Sequence, residues 1–198
     1  MSADRLRLGI IVGSMRDGRL GPTVARWIAA EAERDGEFDL DVIDLREADL
    51  PVVTPDFGAD PEPAVAARRD ALGERLDAAD AFVVVTPEYN HGAPAGLKSA
   101  IDWFLKEWQA KPVAFVSYGG ISGGLRAVEH LRQVFAEVHA TTIRETVSFH
   151  DAWSHWDTQG NWPKDPERAN AAAKVMLVQL AWWARALKDA KQSQPYPG

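Results

Sequence analysis

The stretch AFVVVTPEYNHGAPAGLKSAIDW, residues 81–103, decides the fold. Its first five residues are continuously apolar, the pattern of a strand covered on both faces rather than on one. Pro87 has no N–H to offer a ladder, so the strand ends at the rim of a sheet, and Pro94 stiffens the far side of the turn. Leu97, Ile101, Phe104 and Trp108 then recur at helical spacing and predict a helix over 96–108. A buried strand that passes through a stiff polar turn into an amphipathic helix is a β-α unit, and one from the middle of a sheet.

Working outward, the same unit repeats. Strands are expected at 5–13, 38–45, 80–86, 111–118 and 141–149, the third and fourth apolar enough to be central. Helices are expected at 21–36, with Val24, Ile28 and Ala32 on one face and Gly36 as the stop, then at 64–80, 96–108 and 122–138, with a last helix of about 20 residues from Glu167. Right-handed crossovers place helices on both faces of a parallel sheet. The expected fold is therefore α/β, a flavodoxin-like three-layer sandwich with a five-stranded parallel sheet in the order 2-1-3-4-5. At 198 residues one core suffices, so residues 1–198 are read as a single domain.

Composition removes several function classes. Hydrophobic residues make up 46% and charged residues 26%, as in soluble globular proteins. A net charge of −7 and a pI near 5.2 leave no cationic face for a phosphate backbone, so nucleic acid is not an expected partner. With no cysteine there is no disulfide, thiolate zinc site or cysteine nucleophile, and the histidines lack ligand spacing, so no metal is expected. The run VMLVQLAWWA is interrupted by Gln179 and is about half of the ~20 residues that span a bilayer, so no membrane association and a cytoplasmic location are expected.

Three unusual loops leave the carboxyl edge, where open α/β sheets bind ligands. Loop 13–23, GSMRDGRLGPT, opens a helix and carries Ser14, Arg16, Arg19 and Thr23; free N–H groups and the helix dipole suit a phosphate there. It fits neither G-x-x-x-x-G-K-[ST] nor G-x-G-x-x-G, which ranks a monophosphate above a dinucleotide. Ordinary solvated arginines are the alternative. In the second loop Pro87 frees the N–H groups of Glu88, Tyr89 and Asn90 from the ladder, for a flat acceptor-rich ligand or for water. The third, SYGGISGGLR at 117–126, packs four glycines into six positions, which lets a planar ligand approach the main chain.

Together GSMRDGRLGPTVARW, TPEYNHGAPAGLKSAIDW and SYGGISGGLRA resemble the signature loops of the NADPH-dependent FMN reductase family, which includes related quinone and azo-dye reductases. The resemblance runs from residue 5 to about 149. It implies FMN, its phosphate at Ser14, Arg16, Arg19, Gly21, Pro22, Thr23 and Val24. It implies isoalloxazine contacts at Pro87, Glu88, Tyr89 and Asn90, and at Ser117, Tyr118, Gly119 and Gly120. No side chain is then catalytic: flavin N5 takes hydride from NADPH or NADH and electrons pass on to a quinone, an azo compound or free flavin in a ping-pong cycle. A homodimer or homotetramer with the third helix at the contact is implied as well. Two departures stand out, Arg19 where many members have serine and Gly21 where many have asparagine, so the phosphate is expected to be held differently, with Arg19 compensating. Ser99 for a frequent asparagine is a lesser one.

Other readings stay open at this level. A flavin-binding electron carrier or redox sensor with little turnover would share the fold, though the T-G-x-T pattern of flavodoxins is missing. A nicotinamide enzyme would use Asp44 on the ribose. His91 is either a proton donor to a reduced quinone or a solvated loop residue, and Glu88 is a loop anchor before it is an acid. Trp153, Trp156 and Trp162, in the long connection 150–167, either form an aromatic lid or pack beneath the last helix, from which Trp182 projects as a candidate interface residue.

Overall fold

The computed structural model describes residues 5–56 and 58–198. Five strands, β1 (Leu6–Val12), β2 (Phe38–Asp44), β3 (Ala81–Pro87), β4 (Pro112–Tyr118) and β5 (Thr141–Phe149), pair in parallel in the order β2-β1-β3-β4-β5. Every residue of β3 and of β4 is buried, so their unbroken apolar runs face helices on both sides. The edge strand β2 alternates more, with Phe38 and Ile43 inside and Asp39 exposed.

Alternation along the strands splits the core in two. Ala81, Val83 and Val85 of β3 pack with α1 (Gly21–Asp35) and α6 (Pro166–Ser193), whose Val24, Ile28, Ala32, Met176 and Leu180 are fully buried. Phe82 and Val84 point the other way, into α3 (Pro63–Ala78), α4 (Ala95–Asp102) and α5 (Leu125–Glu137). On that side Phe82, Trp108 and Phe135 make successive edge-on contacts at 4.9 and 5.5 Å. Truncating any of the three to alanine is expected to cost about 3–5 kcal/mol.

Three boundaries differ from the expected ones. The helix expected over 96–108 stops at Asp102, where the Phe104 N–H donates to the Ile101 carbonyl at 3.2 Å and the Trp108 indole donates to the same oxygen at 3.3 Å. Phe104 and Trp108 are still buried, at 7% and 2% exposure, so the apolar spacing is satisfied by a folded-back turn. In α5 the start moves to Leu125, because Gly123 and Gly124 sit at φ 60° and 87°. The last helix runs 28 residues and ends at Ser193, before Gln194, which the following Pro195 holds extended. The short helix α2 (Leu45–Ala48) leads into connection 46–63 and is capped by the Asp44 carboxylate, which accepts the Arg46 N–H; Phe57 within that connection lies outside the described residues.

Candidate active site

The loops after β1, β3 and β4, with the segment after β5, surround a cavity of about 460 Å³ at the carboxyl edge, a size that takes a small-molecule ligand. Loop one is pinned rather than slack. Arg19 Nη1 donates to the Ser14 carbonyl and to Asp44 Oδ1, and Nη2 to Asp44 Oδ2, each at 2.6 Å. Both side chains of this pair are only 13% exposed. Arg19 therefore straps the loop to the end of β2. That strap also occupies Asp44.

α1 begins without an N-terminal cap from any side chain and with no acidic residue in its first turn. The Thr23 and Val24 N–H groups turn back to the Leu20 carbonyl, Pro22 has none, and the Gly21 N–H is left without a backbone partner among the described residues. An uncapped helix end of this kind favours an anion. Ser14 is 1% exposed and its hydroxyl shares a 2.8 Å hydrogen bond with the Tyr89 hydroxyl, while the Arg16 guanidinium lies 3.8 Å above the Tyr89 ring. Tyr89 thus joins loop one to loop two.

In loop two the expected freedom of three N–H groups is mostly absent. Glu88 donates to the Tyr118 carbonyl at 3.2 Å, and Tyr89 and Gly92 exchange hydrogen bonds at 2.9 and 3.1 Å. Asn90 and His91, at φ 48° and 75°, form the exposed tip of that tight turn, so only the Asn90 N–H of the three lacks a backbone partner among the described residues. A two-residue tip with both φ positive matches the twist of the flanking backbone. Glu88 is the anchor expected of it. Its side chain is 6% exposed, and it accepts the Arg126 N–H at 3.1 Å and pairs with Arg126 Nη2 at 2.8 Å. Burial alone would raise the Glu88 carboxyl, but the Ser122 hydroxyl, the Arg126 guanidinium and the N–H groups of Arg126 and Ala127 together hold it below the ordinary glutamate value. Arg126 Nη1 also donates to His91 Nδ1 at 3.0 Å.

Loop three is folded onto β5. Gly119 N–H donates to the Phe149 carbonyl, and the Gly119 and Gly120 carbonyls accept from Ala152 and Asp151. Ser117 is fully buried beneath it, its hydroxyl donating to the Gly123 carbonyl at 2.8 Å. At Gly124 a Cβ would lie 2.7 Å from Ser117 Cβ and 3.0 Å from the Tyr118 nitrogen, so the close turn at φ 87° requires glycine. The three tryptophans divide between the two readings left open. Trp162 packs inward, 4.5 Å from Phe149, and donates to the Ala152 carbonyl, whereas Trp153 and Trp156, on and just after the 3₁₀ turn Ala152–His155, line the cavity at 65% and 44% exposure.

Of the residues expected at a site, Ser14, Arg16, Arg19, Thr23, Pro87, Glu88, Tyr89, Tyr118 and Gly119 meet on the cavity wall. Gly21, Pro22, Val24, Asn90, Ser117 and Gly120 stand behind it or at the turn tip. Sequence reasoning missed Arg126 and the strap role of Asp44; an arginine opening a helix straight after a glycine-rich turn was the available signal for the first. The chemistry on offer is recognition. One end of the cavity presents an uncapped helix, a hydroxyl and a guanidinium for an anion, the other presents backbone and tryptophan for a flat ring.

Residues 6–154 match the NADPH-dependent FMN reductase family. The chain belongs to this family. An NAD(P)H-dependent FMN reductase of Schizosaccharomyces pombe is 40% identical over 123 residues, 58% of each chain, so the match spans less than two thirds of that relative's length. A quinone reductase of Escherichia coli is 34% identical over 149 residues, covering 72% of this chain and 76% of the relative. Among solved structures, the flavoenzyme NAD(P)H:(acceptor) oxidoreductase FerB of Paracoccus denitrificans shares the fold with a TM-score of 0.70 at 23% identity, over 91% of this chain and 98% of that one. As an FMN reductase family member the protein is an oxidoreductase, with FMN and NAD(P)H as its cofactors. No described helix is long and apolar enough to cross a membrane.

The residues present fit FMN on structural grounds. The cavity is large enough, its anion-seeking end is uncapped, and the Tyr118 hydroxyl is buried at its wall with no hydrogen-bond partner among the described residues.

Proposed function

We propose that the protein is an FMN-dependent NAD(P)H oxidoreductase in which one cavity at the carboxyl edge serves the nicotinamide and a planar acceptor by turns. The observation that carries this reading is the division of one cavity into an anion-binding end and an aromatic, backbone-lined end. When bound, FMN supplies two-electron redox chemistry between nicotinamide and acceptor. The chain supplies position and polarity. Ser14, Arg16 and the first turn of α1 bind the phosphate; Gly119 lets a ring lie against main chain; the Glu88–Arg126 pair holds the second and third loops in register. Quinones, azo compounds and free flavin are the acceptor classes, and the quinone reductase among the relatives supports the first. One cavity for two substrates implies that they bind alternately, a ping-pong cycle. We also propose a homodimer or homotetramer, supported by Val175, Val178 and Trp182, which α6 leaves 55–63% exposed.

Anaerobic addition of NADPH, then NADH, to protein loaded with FMN tests the reading. Bleaching of the flavin band that a quinone reverses, with parallel double-reciprocal lines, is the expected result. Tight FMN binding without bleaching would replace the enzyme by an electron carrier or sensor. Arg16→Ala is expected to weaken FMN binding about tenfold, as loss of one charge-assisted hydrogen bond does.

A further inference from the structure

Tyr118 ends β4 with its ring in the layer between the sheet and α1, beside Val12, Val24 and Val116, and is 3% exposed. Its hydroxyl reaches the underside of the first turn of α1, where it lies 3.1 Å from the position a Cβ would take on Gly21. It has no hydrogen-bond partner among the described residues, although buried hydroxyls are almost always paired. Of the polar groups that act on it, the Ser14 hydroxyl is shared with Tyr89, and both Arg19 Nη groups are held by Asp44 and the Ser14 carbonyl. Above it, α1 is a 15-residue helix with no side-chain cap and no acid in its first turn.

We propose that the Tyr118 hydroxyl donates to the phosphomonoester held by loop 13–23, and that it makes the site prefer phosphorylated flavin to the dephosphorylated form. The inference rests on the flavin reading above and moves Tyr118 from the ring end of the site to the phosphate end. Burial pushes the Tyr118 phenol well above its ordinary value, with the Ser14 hydroxyl opposing only in part, so the group is a neutral O–H donor at neutral pH. A neutral donor beside an uncapped helix end serves a dianion without placing a further charge in so buried a corner. The absence of a side chain at Gly21 is what leaves room for the hydroxyl. A Cβ there would also meet Val12 Cγ1 at 3.0 Å and Ser14 Cβ at 3.3 Å.

The test compares FMN and riboflavin binding to wild type and Tyr118→Phe by flavin fluorescence titration. Tyr118→Phe is expected to weaken FMN about tenfold to a hundredfold, the range for a hydrogen bond to a charged group, and to leave riboflavin within about twofold. Thermal melts with inorganic phosphate give a second readout: phosphate should raise the melting temperature of wild type more than that of the variant. Gly21→Ala crowds the same hydroxyl without removing it and is expected to lower FMN affinity selectively, which decides the matter if Tyr118→Phe does not fold. Equal losses for FMN and riboflavin, or none for either, would overturn the proposal. Wild type that binds neither flavin would instead overturn the flavin reading, and the role of Tyr118 with it.

Discussion

At the amino rim of the sheet the buried Lys111 Nζ donates to the Leu76 and Asp77 carbonyls at 2.8 Å each, closing the end of α3, and Asp80 accepts both the Arg7 N–H and Lys188 Nζ at 2.9 Å. At the carboxyl rim the Tyr118 hydroxyl, Arg126 Nε and His155 Nδ1 are buried without hydrogen-bond partners among the described residues. Asp35 Oδ2, at the end of α1, is the exception on the amino side among the described residues, and burial, reinforced by Glu37, pushes that carboxyl up. The groups named at the amino rim are mostly paired, whereas at the carboxyl rim three stay open beside the helix starts that Asp44 and Glu88 close. Because an unpaired buried group is costly, the open rim is where the fold trades stability for binding.

The largest expected effect sets glycine against glycine. Gly124→Val places a branched side chain at φ 87° within 3.0 Å of backbone and is expected to cost about 3 kcal/mol or more. Gly36→Ala, at φ 81° with nothing within 4 Å, is expected to cost about 1 kcal/mol. Urea midpoints decide it, and equal shifts would break the comparison. Next come two carboxylates paired to arginine. Asp44→Asn strands the largely buried Arg19 charge and is expected to cost about 2–3 kcal/mol. Asp41→Asn loosens the pair with Arg75, whose side chains are 43% and 44% exposed, for less than about 1 kcal/mol.

pH separates the rims by window, stability rising with pH in each. The Glu88 carboxyl is held low, so its contribution to stability is complete above the ordinary glutamate value and lost as pH falls through the depressed one. Lys111 is pushed down to about 8, by burial first and then by Lys191, against 10.5 ordinarily. Between those values the unfolded chain binds more protons than the folded one, so stability rises with pH from about 8 toward 10.5. Glu88→Gln should flatten the acid side of an unfolding free-energy profile, and Lys111→Met the alkaline rise, less whatever Lys191, also lowered by burial, contributes. The smallest effect on stability belongs to Trp153→Ala, expected within about 0.5 kcal/mol of wild type. Its signature would be a KM for planar acceptors raised about three- to tenfold with the fold unchanged, as loss of one aromatic contact implies; an unchanged KM would remove Trp153 from the acceptor wall.

Much of the architecture was legible in short windows. The apolar runs of β3 and β4 announced central strands, Pro87 the rim, Gly36 the end of α1, and the three loop motifs the family. These signals are local, because ladder geometry, helical spacing and φ restrictions act over a few residues. The helix expected to reach Trp108 shows the limit of that logic: the periodicity was right about burial and wrong about backbone, since an indole could cap the Ile101 carbonyl instead.

What the sequence by itself determined is the order of strands, the faces of the helices and the edge where three ligand-ready loops gather. Only the tertiary structure decided what those loops do with their charges. Arg19 was expected to face a phosphate and is committed to Asp44, 25 positions away; Glu88 meets Arg126 across 38, and Ser14 meets Tyr89 across 75. Tyr118, assigned by resemblance to the ring, lifts its hydroxyl toward α1 because successive strand residues point to opposite faces and the missing side chain at Gly21 leaves space above it. Long polar side chains choose among partners that the chain brings near only after it has folded, so their pairings are not written in any local pattern.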